Sequence, residues 1–149
     1  MTLNDIFLKL RSIDCKAQGL ISETGFAPSG TFGSQVRMEP ANPDDLFLRN
    51  AACHLLLPFE DLHARLNYLS KPVHGEYRIQ KFPDGRYGYI GSQGLARIFT
   101  CGSTFEALIP DNNGQLVWAK SRIEHDGNDY YLWNHSFVPL SGLTVRERR

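Results

Sequence analysis

The hydrophobic pattern of the chain changes near Pro72 and divides it into a helical half and a strand half. Before Pro72, apolar residues recur at every third or fourth position, which is the period of a helix packed along one side. After it, apolar and polar residues alternate, as in a half-buried strand. We therefore predict an α+β fold in one compact unit, with a helical hairpin over residues 1–72 and a small antiparallel β-barrel of SH3-like size over residues 73–149.

The first predicted helix starts after Thr2, whose side chain can cap the first turn. Asp5 then lies at the third helical position, where a carboxylate favours the positive end of the helix dipole. Gly19 is the predicted end of this helix. Its apolar stripe consists of Leu3, Ile6, Phe7, Leu10, Ile13 and Ala17.

Residues 19–41 are predicted to form a long loop, because Gly, Ser and Pro interrupt this segment too often for a helix. Loops of this length are uncommon in compact domains and often either bind ligands or lack order.

The second helical segment starts with Asn42 as N-cap and Pro43 in the first helical position. Pro58 lies inside it, so the sequence predicts either a kink there or a break with a restart at Pro58. Two helices with matching apolar stripes are expected to pair as an antiparallel hairpin. The apolar seam of this segment consists of Leu48, Ala52, Leu55, Phe59, Leu62, Leu66 and Leu69.

Short alternating segments separated by turn residues fill the second half of the chain. The clearest hairpin joins residues 115–125 to residues 129–133 around Asp126-Gly127, because Asp-Gly between alternating apolar runs is a strong turn signal. Several short strands within about seventy residues would leave long exposed edges unless the sheet closes, which is why we predict a barrel.

Charge and apolar runs restrict the function classes. The chain has 16 basic and 16 acidic side chains and no net charge, so it lacks the positive field of a dedicated nucleic-acid binder. No apolar run approaches the ~20 residues of a membrane span, and the N-terminus does not resemble a secretory signal. We expect a cytoplasmic protein. Its three cysteines lack paired spacing, so we expect reduced and mostly buried thiols.

Charged and aromatic residues of the β half are the candidate site. Glu106, Arg122, Glu124 and Arg146 are expected to form cross-strand ion pairs, each worth about 0.2–1 kcal/mol. The functional alternative is a binding site in which planar arginine side chains meet a carboxylate or phosphate. Because strand neighbours point to opposite faces, one of two adjacent tyrosines should reach the surface. The candidate binding residues are Arg86, Tyr87, Glu106, Trp118, Arg122, Glu124, Tyr130, Tyr131 and Arg146.

No motif supports a metal site, a cofactor or catalysis. His125 lies between Glu124 and Asp126, but three consecutive strand residues cannot converge on one ion without a bulge. The sequence contains no phosphate loop, dinucleotide fingerprint or nucleophile elbow. We therefore predict no metal ligands, no cofactor and no catalytic residues.

A set of residues in the second half follows a known order and spacing: Leu69, Pro72, Gly85-Arg86-Tyr87, Cys101-Gly102, Phe105-Glu106, Trp118, Arg122-Ile123-Glu124, Asp129-Tyr130-Tyr131, Gly142-Leu143 and Val145-Arg146. In these positions the second half resembles a bacterial family known as domain of unknown function 5348. The resemblance implies a small bacterial domain that is often found on phages and other mobile elements, and it supplies no catalytic residue.

Three functions follow as hypotheses. The leading one is a non-catalytic protein-binding or adaptor domain, because the β half is rich in aromatics and arginine without a reaction motif. The first alternative is nucleic-acid binding, since residues 71–149 have ten basic and eight acidic side chains. The second alternative is an enzyme without a recognisable motif. Self-association is a further expectation, because the seam of the second helix is wider than one helix covers.

Overall fold

Two helices followed by antiparallel strands make up the computed structural model, which describes residues 1–149 and confirms the α+β class. The chain divides into two compact units, Met1–Ser70 and Lys71–Arg149. We name them the helical unit and the β unit. Neither helix combines the length and the apolarity that a transmembrane helix requires.

Helix α1 comprises Leu3–Thr24 and has the predicted cap. Thr2 Oγ1 accepts from the Asp5 amide at 3.2 Å, and the Asp5 carboxylate accepts from the Thr2 amide at 2.6 Å. The prediction that this helix ends at Gly19 is wrong. The loop predicted over residues 19–41 therefore begins later than predicted, after Thr24. The helix continues because Ile21 adds a buried turn beyond Gly19, and it ends at Gly25 with a φ of 59°.

The segment between the helices folds against the helical unit through turns and one isolated β-bridge, Ala27 to Thr31. Phe26 is buried beside Ile21 and Leu56, and its ring centroid lies 5.2 Å from that of Phe32. This segment therefore contributes to the small core of the helical unit.

Helix α2 comprises Pro43–Ser70 and passes Pro58 without a break. Asn42 Oδ1 accepts from the Asp44 amide at 3.0 Å, as the N-cap prediction requires. The helices are antiparallel, since Asp14 on α1 contacts His63 at 2.9 Å while residues nearer the C-terminal end of α1 pack beside Leu56.

The predicted apolar seams are only partly buried. Of the first stripe, Ala17 alone is buried, and of the second, Leu66 alone. The period of the pattern was right, but an antiparallel pair of helices covers a narrower band than each helix offers.

Eight strands form the β unit: β1 (Val73–Arg78), β2 (Gln80–Lys81), β3 (Tyr87–Ile90), β4 (Ala96–Ile98), β5 (Thr104–Pro110), β6 (Leu116–His125), β7 (Tyr130–Leu132) and β8 (Thr144–Arg148). A five-stranded sheet has the order β1-β8-β5-β6-β7, and a three-stranded sheet has the order β2-β3-β4. The hairpin predicted around Asp126-Gly127 is confirmed as the β6–β7 pair. No closed barrel is found, so barrel closure is not confirmed.

The core of the β unit is fully enclosed and rich in aromatic and branched side chains. Phe99, Phe105, Ile123, Leu132 and Val145 are each at most 1% exposed. The strand alternation explains this core, because β5 and β8 each turn every second side chain toward it.

A close backbone approach joins β3 to β4. A Cβ atom on Gly88 would lie 2.1 Å from the carbonyl oxygen of Arg97, so only glycine fits at this position.

All three cysteines are free. The expectation that they are mostly buried is wrong, because Cys15 and Cys101 are exposed and Cys53 is half-buried. Cys15 lies on an open side of α1 and Cys101 in a turn, whereas Cys53 packs against the core of the helical unit.

Candidate functional site

The side of the five-stranded sheet that faces away from the β core gathers most of the predicted site residues. We call it the outer face. Its position follows from register, since Glu106 pairs with both Lys120 and Arg146, and Glu124 pairs with Tyr131. Directly paired residues of an antiparallel sheet point to the same side. The outer face comprises Glu76, Arg78, Glu106, Trp118, Lys120, Arg122, Glu124, Tyr131, Trp133, Arg146 and Arg148.

A row of alternating charge crosses the centre of this face. Glu76 on β1 pairs with Arg146 on β8, Arg146 pairs with Glu106 on β5, and Glu106 pairs with Lys120 on β6. Each side chain therefore has neighbours of opposite sign on the adjacent strands.

Glu106 is the most buried member of the row, at 5% exposure. Its Oε1 accepts from Arg148 Nε at 2.6 Å, and its Oε2 accepts from Arg146 Nε. Burial alone would raise the pKa of Glu106, but the hydrogen bonds from Arg148 and Arg146 outweigh it and lower the pKa below its ordinary value. The carboxylate is therefore ionised at neutral pH and holds two arginines in place.

Two arginines of the outer face stack on tryptophan rings. Arg146 Cζ lies 4.2 Å from the ring centroid of Trp118, and Arg122 Cζ lies 4.4 Å from that of Trp133. At these distances the planar guanidinium attracts the face of the ring. Each of these arginines thus contacts a tryptophan ring as well as a glutamate of the same face.

Glu124 joins one of these stacks to a cysteine. Its Oε1 lies 2.6 Å from Arg122 Nε as an ion pair, and its Oε2 accepts from Cys101 Sγ at 2.7 Å. That hydrogen bond lowers the pKa of Glu124 and raises the pKa of the Cys101 thiol. Cys101 is therefore protonated at neutral pH, which makes its sulfur a poor nucleophile.

Tyr87 and Tyr130 lie apart from the outer face, at the end of the β6–β7 hairpin. Their rings meet edge to face with centroids 6.2 Å apart. Asp129 Oδ2 accepts from Lys81 Nζ at 2.7 Å and from the Tyr87 hydroxyl at 3.4 Å. The hydrogen bond from Lys81 lowers the pKa of Asp129.

Arg86 is separate from both groups. Its Nε donates to Asp84 Oδ2 at 2.7 Å within the turn before β3. The nine predicted site residues thus fall into three places, with six of them on the outer face.

Tyr130 and Tyr131 are both half-buried, on opposite sides of β7.

A buried carboxylate on the core side was missed by the sequence analysis. Glu147 is 5% exposed and accepts from the Tyr89 hydroxyl at 2.6 Å, from Arg97 at 3.2 Å and from Arg149 at 2.5 Å. Burial, followed by the hydrogen bond to Glu147, raises the pKa of Tyr89 to about 12. The signal was present in the alternation of β8, which places Glu147 on the same side as buried Val145.

No group of three or more His, Cys, Asp or Glu side chains converges at a position that could hold a metal ion. His125 instead accepts from the Gly127 amide at 3.0 Å and packs edge to face on Tyr130.

Comparison with protein families finds a similarity that covers most of the β unit. Residues 77–147 match the model of a domain of unknown function (DUF5348), as the resemblance predicted. The match includes all nine predicted site residues. The search of curated proteins and the search of solved structures each found no match.

Proposed function

We propose that this chain, whose residues 77–147 match the DUF5348 model, is a non-catalytic protein-binding or adaptor protein that binds its partner through the outer face. One observation carries the proposal. Two tryptophans lie on this face, each stacked with an arginine that a glutamate on the same face already balances.

Such pairs favour protein recognition for energetic reasons. Tryptophan and arginine are enriched among the residues that contribute most to protein–protein binding. Arg146 and Arg122 are held by stacking and by ion pairs before a partner arrives, so less conformational entropy is lost on binding.

The electrostatics of the same face favour binding over catalysis. General acid–base catalysis works best with a pKa near the working pH. The pKa values of Glu106 and Glu124 are lowered instead, and that of the Cys101 thiol is raised. At neutral pH both carboxylates are therefore ionised and the Cys101 thiol is protonated.

The test is affinity capture from the native host with the full chain and two variants. We expect a partner that the wild type retains and Trp133→Ala loses, because Trp133 is 41% exposed and stacks with Arg122. Phe137→Ala is the matched control, since Phe137 is an exposed aromatic of the β unit outside the five-stranded sheet.

Each captured protein is then purified and its Kd measured against all three chains. A loss of about 30-fold or more with Trp133→Ala alone supports the proposal. Equal affinity of the wild type and Trp133→Ala would contradict it.

Nucleic-acid binding by the outer face is the second candidate function. Five cations, Arg78, Lys120, Arg122, Arg146 and Arg148, accompany three carboxylates there, Glu76, Glu106 and Glu124. Fluorescence anisotropy with single- and double-stranded DNA and RNA at about 50 and about 200 mM salt separates the candidates, because contacts to phosphate weaken steeply with salt. Salt-sensitive binding that Lys120→Gln reduces would replace the protein-binding proposal.

A further inference from the structure

The helices carry an apolar surface that the helical unit does not use. In each helix, part of the apolar stripe is a line of branched aliphatic side chains at a spacing of seven residues. On α1 and α2 the lines are Ile6, Ile13 and Leu20, and Leu48, Leu55, Leu62 and Leu69. We call them the heptad lines.

Most of these side chains are exposed to solvent. Leu55 is 70% exposed, Leu48 is 62% and Ile13 is 49%. The core of the helical unit instead uses other positions of the helices: Ile21 packs with Leu56, and Ala17 is also buried. The heptad lines therefore flank the helix–helix contact and are open on one side.

An open groove lies where the two heptad lines approach each other. It has a volume of about 750 Å³ and includes Leu20 of α1 together with Leu48 and Leu55 of α2. Val36 and Met38, from the segment between the helices, form one wall.

From this geometry we infer that the helical unit pairs with the helical unit of a second copy of this chain to form a four-helix bundle. Helical bundles and coiled coils pack two apolar positions in every seven residues along each helix. The heptad lines supply one of the two, and the residues four further along supply the other, which is half-buried or buried: Leu10, Ala17, Ala52, Phe59 and Leu66. Because both helices of the hairpin carry such a line, the surface fits another pair of helices. The inference concerns the helical unit and does not rest on the proposed function.

The exposed apolar surface is large enough for such a pair. The heptad lines together with Val36, Met38 and Phe47 expose on the order of 500 Å² of apolar surface. A stable interface buries about 800 Å² on each partner, and in homodimers about 65% of that area is apolar. About 65% of 800 Å² is roughly 500 Å² of apolar area, which is the amount that these side chains expose.

The charges at the groove favour a second copy over a strongly charged partner. Its rim carries Arg37 and Arg49 together with Asp45, so both signs are present on the same patch. In a two-fold interface each patch meets its own copy, and opposite charges can then face each other across the axis. The chain has no net charge, so two copies do not repel each other at long range.

The test is the molar mass of the full chain by sedimentation velocity and light scattering from about 1 to about 100 μM, the range in which a dimer equilibrium depends on concentration. We expect the mass of a dimer for the wild type. Leu55→Glu and the milder Leu48→Gln are expected to weaken the dimer, the first by about 30-fold or more in Kd. Helical circular dichroism of each variant, compared with that of the wild type diluted to its monomer, verifies the helical unit, and tryptophan emission verifies the β unit, since both tryptophans lie there.

Leu8→Glu is the matched control, because Leu8 is 65% exposed on α1 and lies outside both heptad lines. It should leave the dimer intact. A wild type that is monomeric at every concentration overturns the inference, even if another helical protein captures it. A dimer that neither heptad-line variant weakens, or that Leu8→Glu weakens equally, also overturns it.

Discussion

The helical unit and the β unit have similar lengths but bury their apolar side chains to different extents. The helical unit contributes five of the 17 buried apolar residues, while it holds 15 of the 22 large apolar residues that are exposed. The β unit has twelve and seven. All three buried polar or charged residues, Glu106, Ser121 and Glu147, also belong to the β unit.

The difference shows how each architecture uses an amphipathic pattern. A strand has only two sides, so a sheet that encloses a core hides the apolar side of every strand at once. A helix has a continuous circumference, and one antiparallel neighbour covers only part of an apolar stripe that is wider than about 100°. The β unit therefore has more buried than exposed apolar side chains, and the helical unit has more exposed than buried ones.

Removing a core side chain from the β unit should have the largest effect. Phe105→Ala is expected to lower the free energy of unfolding by about 3–5 kcal/mol, because Phe105 is 1% exposed and its removal leaves a cavity. Leu8→Ala, its counterpart in the helical unit, should change it by less than about 0.5 kcal/mol. Urea unfolding, followed by tryptophan emission and by helical circular dichroism, measures both. Equal losses would remove the contrast between the units.

The buried carboxylate of the outer face should have the next largest effect. Glu106→Gln removes a negative charge that pairs with both Arg146 and Arg148, and we expect a loss of about 1–3 kcal/mol in the free energy of unfolding at pH 7. The folded-state pKa of Glu106 is lowered, so its contribution is fully present above the unfolded-state pKa and is lost as the pH falls through the folded-state value.

Urea titrations of the wild type and Glu106→Gln from pH 7 down to about pH 3 test this, because the carboxylates become protonated in that range. The difference between the two chains should shrink as the pH falls. Glu23→Gln is the control on an exposed side chain and should track the wild type. A difference that is independent of pH would contradict the role given to the Glu106 charge.

The same glycine substitution should have opposite signs in the two units. Gly88→Ala places a Cβ 2.1 Å from the Arg97 carbonyl oxygen, so the β3–β4 pair must shift at a cost of about 1–3 kcal/mol. Gly19→Ala, in the interior of α1 with no atom within 4 Å of the new Cβ, should stabilise the helix by about 0.5–1 kcal/mol. The midpoint temperature of thermal unfolding should therefore fall for Gly88→Ala and rise for Gly19→Ala. A rise for Gly88→Ala would contradict the close approach of β3 to β4. A fall for Gly19→Ala would contradict a continuous α1.

A surface ion pair of α2 should have the smallest effect. Arg65 donates to Asp61 at 2.7 Å, but both side chains are well exposed. Arg65→Ala is expected to lower helical stability by only about 0.3–0.5 kcal/mol, with the difference fading at high salt. A loss as large as that of Glu106→Gln would mean that exposure is a poor guide to the strength of ion pairs in this protein.

The sequence predicted local periods and caps well, because these depend on neighbouring residues. The Thr2 and Asn42 caps, the change of period near Pro72 and the hairpin at Asp126-Gly127 were all readable from local pattern. The end of α1 was misplaced because a single Gly19 costs only about 1 kcal/mol, which packing of Ile21 outweighs.

The candidate site was predictable in its residue types but not in its geometry. Alternation places Glu106 and Arg146 on strand faces, but which strands become neighbours is decided by long-range pairing. For that reason Tyr87 and Tyr130 were grouped with residues from which the fold separates them. Glu147 was overlooked because a buried carboxylate is tolerated only where partners such as Tyr89 and Arg97 converge, and these lie 50 or more residues away.

The central contrast is that the β unit has more buried than exposed apolar side chains, whereas the helical unit has more exposed than buried ones. Its most direct test is to prepare residues 71–149 and residues 1–70 as separate chains and to follow both in urea at low concentration. We predict a cooperative transition of tryptophan emission for the first, and weak helical circular dichroism without a cooperative transition for the second. A disordered 71–149 chain, or a monomeric 1–70 chain that unfolds cooperatively, would contradict the account.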